Sequence, residues 1–167
     1  MALSRVIIPT ARPDLVLRQY TLADSPAIFA AIDASREHLS QNGDDTSQKY
    51  PTLTSVEEGI RVNNPEAHLR LGIWARETFV GGINLTCSLE SAEVGYWLDV
   101  RQTGRGYATL ATQAVVRYAR EVLGYNRVWA CVKRVNQKSL AVLHRAGFII
   151  VQTYPELHHL HHLLPAP

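Results

Sequence analysis

The sequence predicts a single-domain mixed α/β protein: a mostly antiparallel central sheet with flanking helices. Three observations carry this. The chain has 167 residues, 46% apolar and 19% charged, enough to bury one hydrophobic core and too apolar for a disordered chain. From His68 to Val100 apolar residues recur with the period of two that a strand requires. Beyond Val100 helical and strand periods alternate, the pattern of helices packed on a sheet. No repeat, low-complexity tract or linker interrupts the chain, so residues 1–167 read as one domain.

The elements follow in order. Ile7 to Pro13 carries two prolines and reads as irregular. Leu15, Leu17 and Gln19 alternate with Val16, Arg18 and Tyr20, a short strand. Asp24 is placed to cap a helix with Pro26 in its first turn and Ile28, Phe29 and Ile32 at helical spacing. Ser40 to Ser47 is polar throughout and reads as a loop. Thr54 or Ser55 caps a second helix, with Glu57 and Glu58 near its positive end. Leu69, Leu71, Ile73 and Ala75 fall on one face of a strand, Arg76-Glu77-Thr78 turns, and Phe79 to Leu85 returns antiparallel. Gly81-Gly82 marks a bulge or a close backbone approach. Ala92 to Val100 is a third strand of this meander. Tyr107, Leu110, Ala111, Ala114, Val115, Tyr118 and Val122 then form one helical stripe, closed by Gly124 in the left-handed position. Arg127 to Val132 is a strand, Lys138 to Arg145 a helix, and Phe148 to Thr153 a further strand.

Composition narrows the function. Seventeen basic and 15 acidic side chains leave a formal charge of +2, and Arg117, Arg120, Arg127 and Arg134 are dispersed, so nucleic acid is not an expected partner. No apolar run approaches the roughly 18 residues of a membrane span. The start, Met1-Ala2-Leu3-Ser4-Arg5, does not resemble a signal peptide, and a cytoplasmic protein is expected. Cys87 and Cys131 are too few and too far apart for a disulfide framework or a zinc set, and read as reduced core thiols.

The segment richest in chemistry is Arg101-Gln102-Thr103-Gly104-Arg105-Gly106-Tyr107-Ala108-Thr109, between a strand and an amphipathic helix. Two glycines let a ligand approach the backbone. The first N–H groups of the helix lack internal partners and sit at its positive end, a cradle for pyrophosphate. Arg101 and Arg105 are placed to add charge. Alone, a glycine-rich turn before a helix is often only a turn; this one is neither a dinucleotide fingerprint nor a P-loop.

Further motifs sharpen it. Arg101-x-x-Gly104-x-Gly106 matches the R/Q-x-x-G-x-G/A signature of the GNAT family of N-acetyltransferases. Asn136-x-x-Ser139-x-x-Val142-Leu143-x-x-x-Gly147-Phe148 resembles the second half of that family's acetyl-CoA site. Val94-Gly95-Tyr96-Trp97-Leu98 looks like the strand before the loop in the RimJ/RimL-like branch, which acetylates N-termini of ribosomal proteins. The three motifs span residues 93–148 in the family's order.

The resemblance implies acetyl-CoA as cosubstrate, with no metal, lying where the strand at 93–100 and a parallel strand at 127–133 splay apart. A backbone N–H among Leu98, Asp99 and Val100 would polarise the thioester carbonyl. N–H groups from Gly104 to Ala108, including those of Arg105, Gly106 and Tyr107, would hold the pyrophosphate. Many family members place an acid tyrosine where this chain has Leu143. Ser139 is the branch's substitute donor to the departing thiol, and equally a helix-surface serine bonded to its own backbone. Asn136 caps the helix, touches CoA, or both. Glu93 is the candidate base that takes the amine's proton, directly or through water, set against an exposed strand-face glutamate. Tyr96 lines the acceptor pocket or the acyl site, or packs in the core. Asp44, Asp45, Glu57 and Glu58 lie where the family builds its acceptor-side wall, and equally read as solvated charges.

His158-His159-Leu160-His161-His162, if extended, puts His158, Leu160 and His162 on one face. It reads as a modified last strand or tail rather than a metal site, within an atypical, short C-terminal segment, 154–167. His144 reads as a surface residue. The implied reaction is direct transfer of acetyl to a primary amine, without a covalent enzyme intermediate. A protein N-terminal amine is the leading acceptor, and a polyamine, amino acid or antibiotic the alternative. A CoA-binding sensor or scaffold without turnover is the competing class. The chain is expected to be a monomer or homodimer.

Overall fold

The computed structural model describes residues 5–62 and 64–163; Met1–Ser4 and 164–167, which bear on the expectations for the two ends, lie outside the described residues. Its strands are β1 (Ile7–Pro9), β2 (Leu15–Gln19), β3 (His68–Ala75), β4 (Thr78–Cys87), β5 (Ser91–Leu98), β6 (Arg127–Lys133), β7 (Phe148–Thr153) and β8 (Leu157–His162). Its helices are α1 (Ser25–Gln41), α2 (Thr46–Lys49), α3 (Leu53–Arg61), α4 (Tyr107–Glu121) and α5 (Gln137–Arg145). The strands form one sheet in the order β1-β2-β3-β4-β5-β6-β8-β7. Every neighbouring pair is antiparallel except β5 with β6. This is a single mixed α/β domain, as the periodicities predicted.

Both sheet faces are covered, which is why the strands of the meander bury residues of both parities. On one face Leu17, Leu71 and Leu85 pack against Ala111 and Val115 of α4 and Leu143 of α5. On the other, Ile28 and Ile32 of α1 and Val56 of α3 meet Trp74 and Phe79. Phe79 sits between Trp74 and Trp97, with ring centroids 5.3 and 5.8 Å away. Gly82 makes room for this aromatic layer: a Cβ there would lie 2.6 Å from both Trp97 Nε1 and the Tyr20 hydroxyl. The predicted close approach is thus a packing requirement, and the accompanying register shift falls opposite, between Ile73 and Trp74.

Several boundaries differ from the sequence reading. Ile7–Pro9 is an edge strand, not irregular; Pro9 ends it, where a missing N–H is tolerated. The polar stretch 40–47 is only partly a loop. α1 runs to Gln41, and the turn α2 begins at Thr46, because polar residues still form helix where a neighbouring helix supports them. Thr52, not Thr54 or Ser55, caps α3: Ser55 N–H donates to Thr52 Oγ1 and Thr52 N–H to Ser55 Oγ, each at 3.1 Å. Serine here takes the reciprocal role usually given to glutamate. Asp24 precedes α1, but its carboxylate turns back, accepting from Arg18 at 2.8 and 2.9 Å and from Thr21 N–H at 2.7 Å. The third strand of the meander ends at Leu98, with a 3-10 turn over Val100–Gln102. Val122 is exposed just past the end of α4. Cys87 is half-buried, but Cys131 is exposed, correcting its reading as a core thiol. In β6 Val128, Ala130 and Val132 take the buried positions, and Cys131 has the opposite parity.

The histidine run is β8, and it lies inside the sheet between β6 and β7. Leu160 is its buried anchor. His162 packs edge-on against Phe148, with centroids 5.2 Å apart, and His159 lies tilted over Trp129 at 4.8 Å.

Candidate active site

The parallel pairing of β5 and β6 lasts three rungs, from Ser91↔Arg127 to Glu93↔Trp129, and then stops. β5 continues along β4 to Leu98, while β6 continues along β8. The strands therefore part beyond Glu93. The direction of each β5 amide follows from the antiparallel ladder, in which alternate residues bond the partner strand. Ser88 N–H donates to Ser91 O and Asp99 N–H to Val80 O, at 2.9 and 3.0 Å. Odd-numbered residues of β5 therefore bond β4, and Tyr96 and Leu98 turn their N–H groups into the gap. Val100 N–H is also engaged, donating to Ser35 Oγ at 2.9 Å. Of the three donors expected at 98–100, Leu98 alone faces the gap, and the sequence reading missed the Tyr96 N–H. The ladder parity that locates it is set by the Ser88–Ser91 turn.

Beyond β5 the chain enters the glycine loop. Gly104 and Gly106 have φ of +76° and +79°, in the left-handed region that favours glycine. A Cβ at either would meet nothing within 4 Å, so what these glycines keep clear is open space beside the backbone. Among the described residues, no partner accepts from the backbone N–H groups of Gly104 to Thr109; the first bonded amide is Leu110, to Gly106 O at 3.1 Å. Four of these amides, Gly106 to Thr109, stand at the positive end of α4. Arg105 is exposed beside them. Arg101 is not free to add charge as expected: Asp99 is buried and binds it at 2.5 to 3.1 Å. Burial works against Asp99's ionisation, but these bonds outweigh it and hold the carboxyl below its ordinary range.

The loop and the splayed strands open into one cleft of about 670 Å³. Tyr96, Trp97 and Leu98 of β5 line one wall, and Asn136, Ser139 and Val142 the other. Gly104, Gly106, Tyr107 and Ala108 stand at its mouth, with His38 and Asp44 from the α1–α2 side. Asn136 caps α5, its Oδ1 accepting from Ser139 N–H at 3.0 Å. The Tyr96 hydroxyl lies 2.7 Å from Ser139 Oγ and donates to Ser139 O at 3.1 Å. Tyr96 thus joins the two walls, and burial pushes its pKa up to about 12. Leu143 is buried in the core and has no part in the cleft. Lys138 and Arg145, not singled out from the sequence, bring positive charge to the α5 wall.

Glu93 is not a wall of this cleft. It occupies the last paired rung, and its odd parity puts it on the sheet face of Trp97, toward α1, away from Tyr96 and α4. Thr86 lies opposite it on β4 and His68 beyond that on β3. Glu93 is half-buried; burial raises its pKa, partly opposed by His68. Of the other acids, Asp45 pairs with Lys49 at 3.0 Å and Glu57 with Arg61 at 3.6 Å, as solvated helix charges do.

An anion-holding row of free amides, a glycine-lined approach and a gap between parallel strands with two free N–H groups fit the pyrophosphate and the amide-bearing arm of CoA. Residues 14–149 match the acetyltransferase (GNAT) domain model, and the chain belongs to that family. YdaF of Bacillus subtilis strain 168, whose name assigns it provisionally as a ribosomal N-acetyltransferase, is 41% identical over 66 residues. That match spans 40% of this chain and 36% of YdaF. The fold of RimL, a ribosomal L7/L12 α-N-protein acetyltransferase solved with coenzyme A, superposes with a TM-score of 0.80 at 22% identity, covering 93% of this chain and 95% of that one. A Salmonella typhimurium acetyltransferase described as modifying the N-terminal serine of L7/L12 gives 0.74 at 24% identity, covering 93% and 96%.

Proposed function

We propose that this protein transfers acetyl from acetyl-CoA directly to a primary amine, and that the amine is a protein N-terminus. The observation that carries the reading is the meeting, in one cleft, of the unpartnered amides of the glycine loop with the free edge of a splayed parallel strand pair. The choice of acceptor rests on the likeness to enzymes described as acting on ribosomal protein N-termini. Among the described residues no helix is long and apolar enough to cross a membrane.

Acetyl-CoA supplies, when bound, a thioester carbonyl open to attack by a neutral amine. The amides of Gly104 to Ala108 hold its pyrophosphate, with Arg105 adding charge. The Tyr96 and Leu98 N–H groups bind along the arm, and the one aimed at the carbonyl oxygen stabilises the charge that develops there. Glu93, on the α1 face where the gap begins, takes the acceptor's proton directly or through water. Burial raises its pKa, which makes it a stronger base than an exposed glutamate. Ser139 Oγ donates to the departing sulfur. Neither Cys87 nor Cys131 lines the cleft, in keeping with direct transfer.

The test is acetyl-CoA titration by calorimetry, followed by free-thiol release over a panel of N-terminal peptides, polyamines, amino acids and aminoglycosides. Peptide-dependent release establishes the reading. Release with a small amine alone moves the acceptor class. Binding with no release across the panel leaves a CoA-binding module, and absence of binding overturns the site.

A further inference from the structure

We propose that Tyr96 is a positioning residue for the reaction: its hydroxyl holds Ser139 Oγ so that the serine hydrogen is presented to the sulfur of CoA. This rests on the acetyl-transfer reading above. The chain has no tyrosine on α5 to serve the leaving group, since Leu143 is in the core. It brings a tyrosine hydroxyl to the same helix from the opposite wall.

The geometry allows two arrangements of two hydrogens. In the first, the Tyr96 hydrogen goes to Ser139 O at 3.1 Å and the serine hydrogen goes to the Tyr96 oxygen at 2.7 Å. In the second, the Tyr96 hydrogen goes to Ser139 Oγ, and the serine hydrogen is released into the cleft. Rotation of two hydroxyls converts one into the other with no heavy atom moving. Ser139 is fixed in place for this, because Asn136 Oδ1 accepts its N–H at 3.0 Å. Without Tyr96, a serine in the first turn of a helix is free to bond elsewhere on its own backbone.

The sulfur comes to this pair for a geometric reason. The amide cradle lies at the start of α4, on the sheet face toward which Tyr96 points, so the arm enters from that face. A carbonyl oxygen held on the Tyr96 N–H leaves the sulfur two bonds away, on the carbonyl carbon, within the cleft that α5 lines. When the C–S bond breaks its electron pair stays on sulfur, and the amine's proton leaves by the base. Ser139 then donates a hydrogen bond to the thiolate while accepting one from Tyr96. A phenol near pKa 12 is a far weaker acid than a thiol at about 8.5, so the tyrosine keeps its proton. The pair stabilises the thiolate, and solvent protonates it on release.

The test uses Tyr96→Phe, which keeps the ring, with Ser139→Ala and the double variant. The first readout needs no turnover: the thiol pKa of bound CoA, from thiolate absorbance against pH. Losing one hydrogen bond to a charged group raises it by about one to two units in Ser139→Ala, and Tyr96→Phe moves it in the same direction by less. The second readout is kinetic. Tyr96→Phe lowers kcat about tenfold with the acetyl-CoA KM within about twofold, and the double variant is no slower than Ser139→Ala. With the selenium analogue of acetyl-CoA, whose leaving group is more acidic, the Tyr96→Phe deficit disappears. An unmoved thiol pKa, additive losses, a deficit equal on both cosubstrates or one confined to KM overturns the relay. A wild-type protein that binds acetyl-CoA but acetylates no amine overturns the transferase reading instead, and with it the relay's catalytic role.

Discussion

Gly104→Ala separates what a glycine does for the backbone from what it does for a ligand, because the fold supplies a matched control. Gly104 and Gly124 have φ of +76° and +77°, and a Cβ at either meets nothing within 4 Å. Only Gly104 borders the cleft. Holding alanine in the left-handed region costs about 1–2 kcal/mol at either site, or roughly 2–8 °C in Tm for a chain of this size. The new methyl at Gly104 also stands where a phosphate oxygen approaches the amides. Loss of one charge-assisted hydrogen bond there costs about 1.5–3 kcal/mol, a roughly 10- to 150-fold weaker acetyl-CoA Kd. Scanning calorimetry should find both variants destabilised alike, and titration calorimetry should find only Gly104→Ala weakened in binding. Acetyl-CoA affinity within threefold of wild type in Gly104→Ala would remove the cradle. Equal weakening in Gly124→Ala would mean that the loss is global rather than local.

Glu93→Gln should lower kcat about a hundredfold or more while leaving the acetyl-CoA Kd unchanged. Because burial raises the Glu93 pKa and a base must be ionised, wild-type kcat/KM should fall as pH drops through that raised value. The variant's profile should lose that limb, and full activity from pH 6 to 9 would place the base elsewhere. Asp24→Asn should cost about 1–3 kcal/mol by urea unfolding at neutral pH, since it weakens the Arg18 and Thr21 bonds. Burial opposes the ionisation of Asp24, but those partners outweigh it and lower its pKa. Its contribution is therefore complete above the ordinary carboxylate range and lost as pH falls through the folded value. The stability gap between wild type and Asp24→Asn should close below about pH 4, and a gap constant with pH refutes the assignment. Burial and the nearby Arg120 lower the pKa of His162, so the fold prefers it neutral and loses stability as pH falls through the ordinary histidine range. His162→Gln should flatten the decline in Tm between pH 7 and 5; an unchanged decline points to other groups.

The sheet and the glycine loop were legible in the sequence for different reasons. Strand periodicity from Leu69 to Leu98 reports a buried face directly, and the glycines at 104 and 106 announce a left-handed backbone that other residues resist. The outer elements were less legible. β1 contains a proline, α2 is one polar turn, and the α3 cap uses Thr52 and Ser55 where a glutamate is the usual sign. The Tyr96 N–H was missed because amide direction depends on ladder parity, which a two-residue shift in a turn would not reveal but a one-residue shift reverses. Glu93 and Tyr96, three apart, fall on opposite sheet faces. Sequence proximity grouped them into one site, and alternation divides them between the two sides of the gap. The pairing of Tyr96 with Ser139, 43 residues on, was beyond any local pattern.

The order β6-β8-β7 has a consequence for how the molecule is built. The strand that reaches between β6 and β7 comes later in the chain than either of them. As the polypeptide emerges during synthesis, β5 and β6 can meet over their three rungs, and α5 and β7 can form, before β8 exists. Until Leu160 is seated, β6 has an unpaired edge beyond those rungs, and β7 lacks the strand it pairs with. The far wall of the cleft, carried on the segment between β6 and β7, is therefore set by the last strand to arrive. The placement of Asn136 and Ser139 is completed by a wedge of histidines 19 or more residues downstream in sequence.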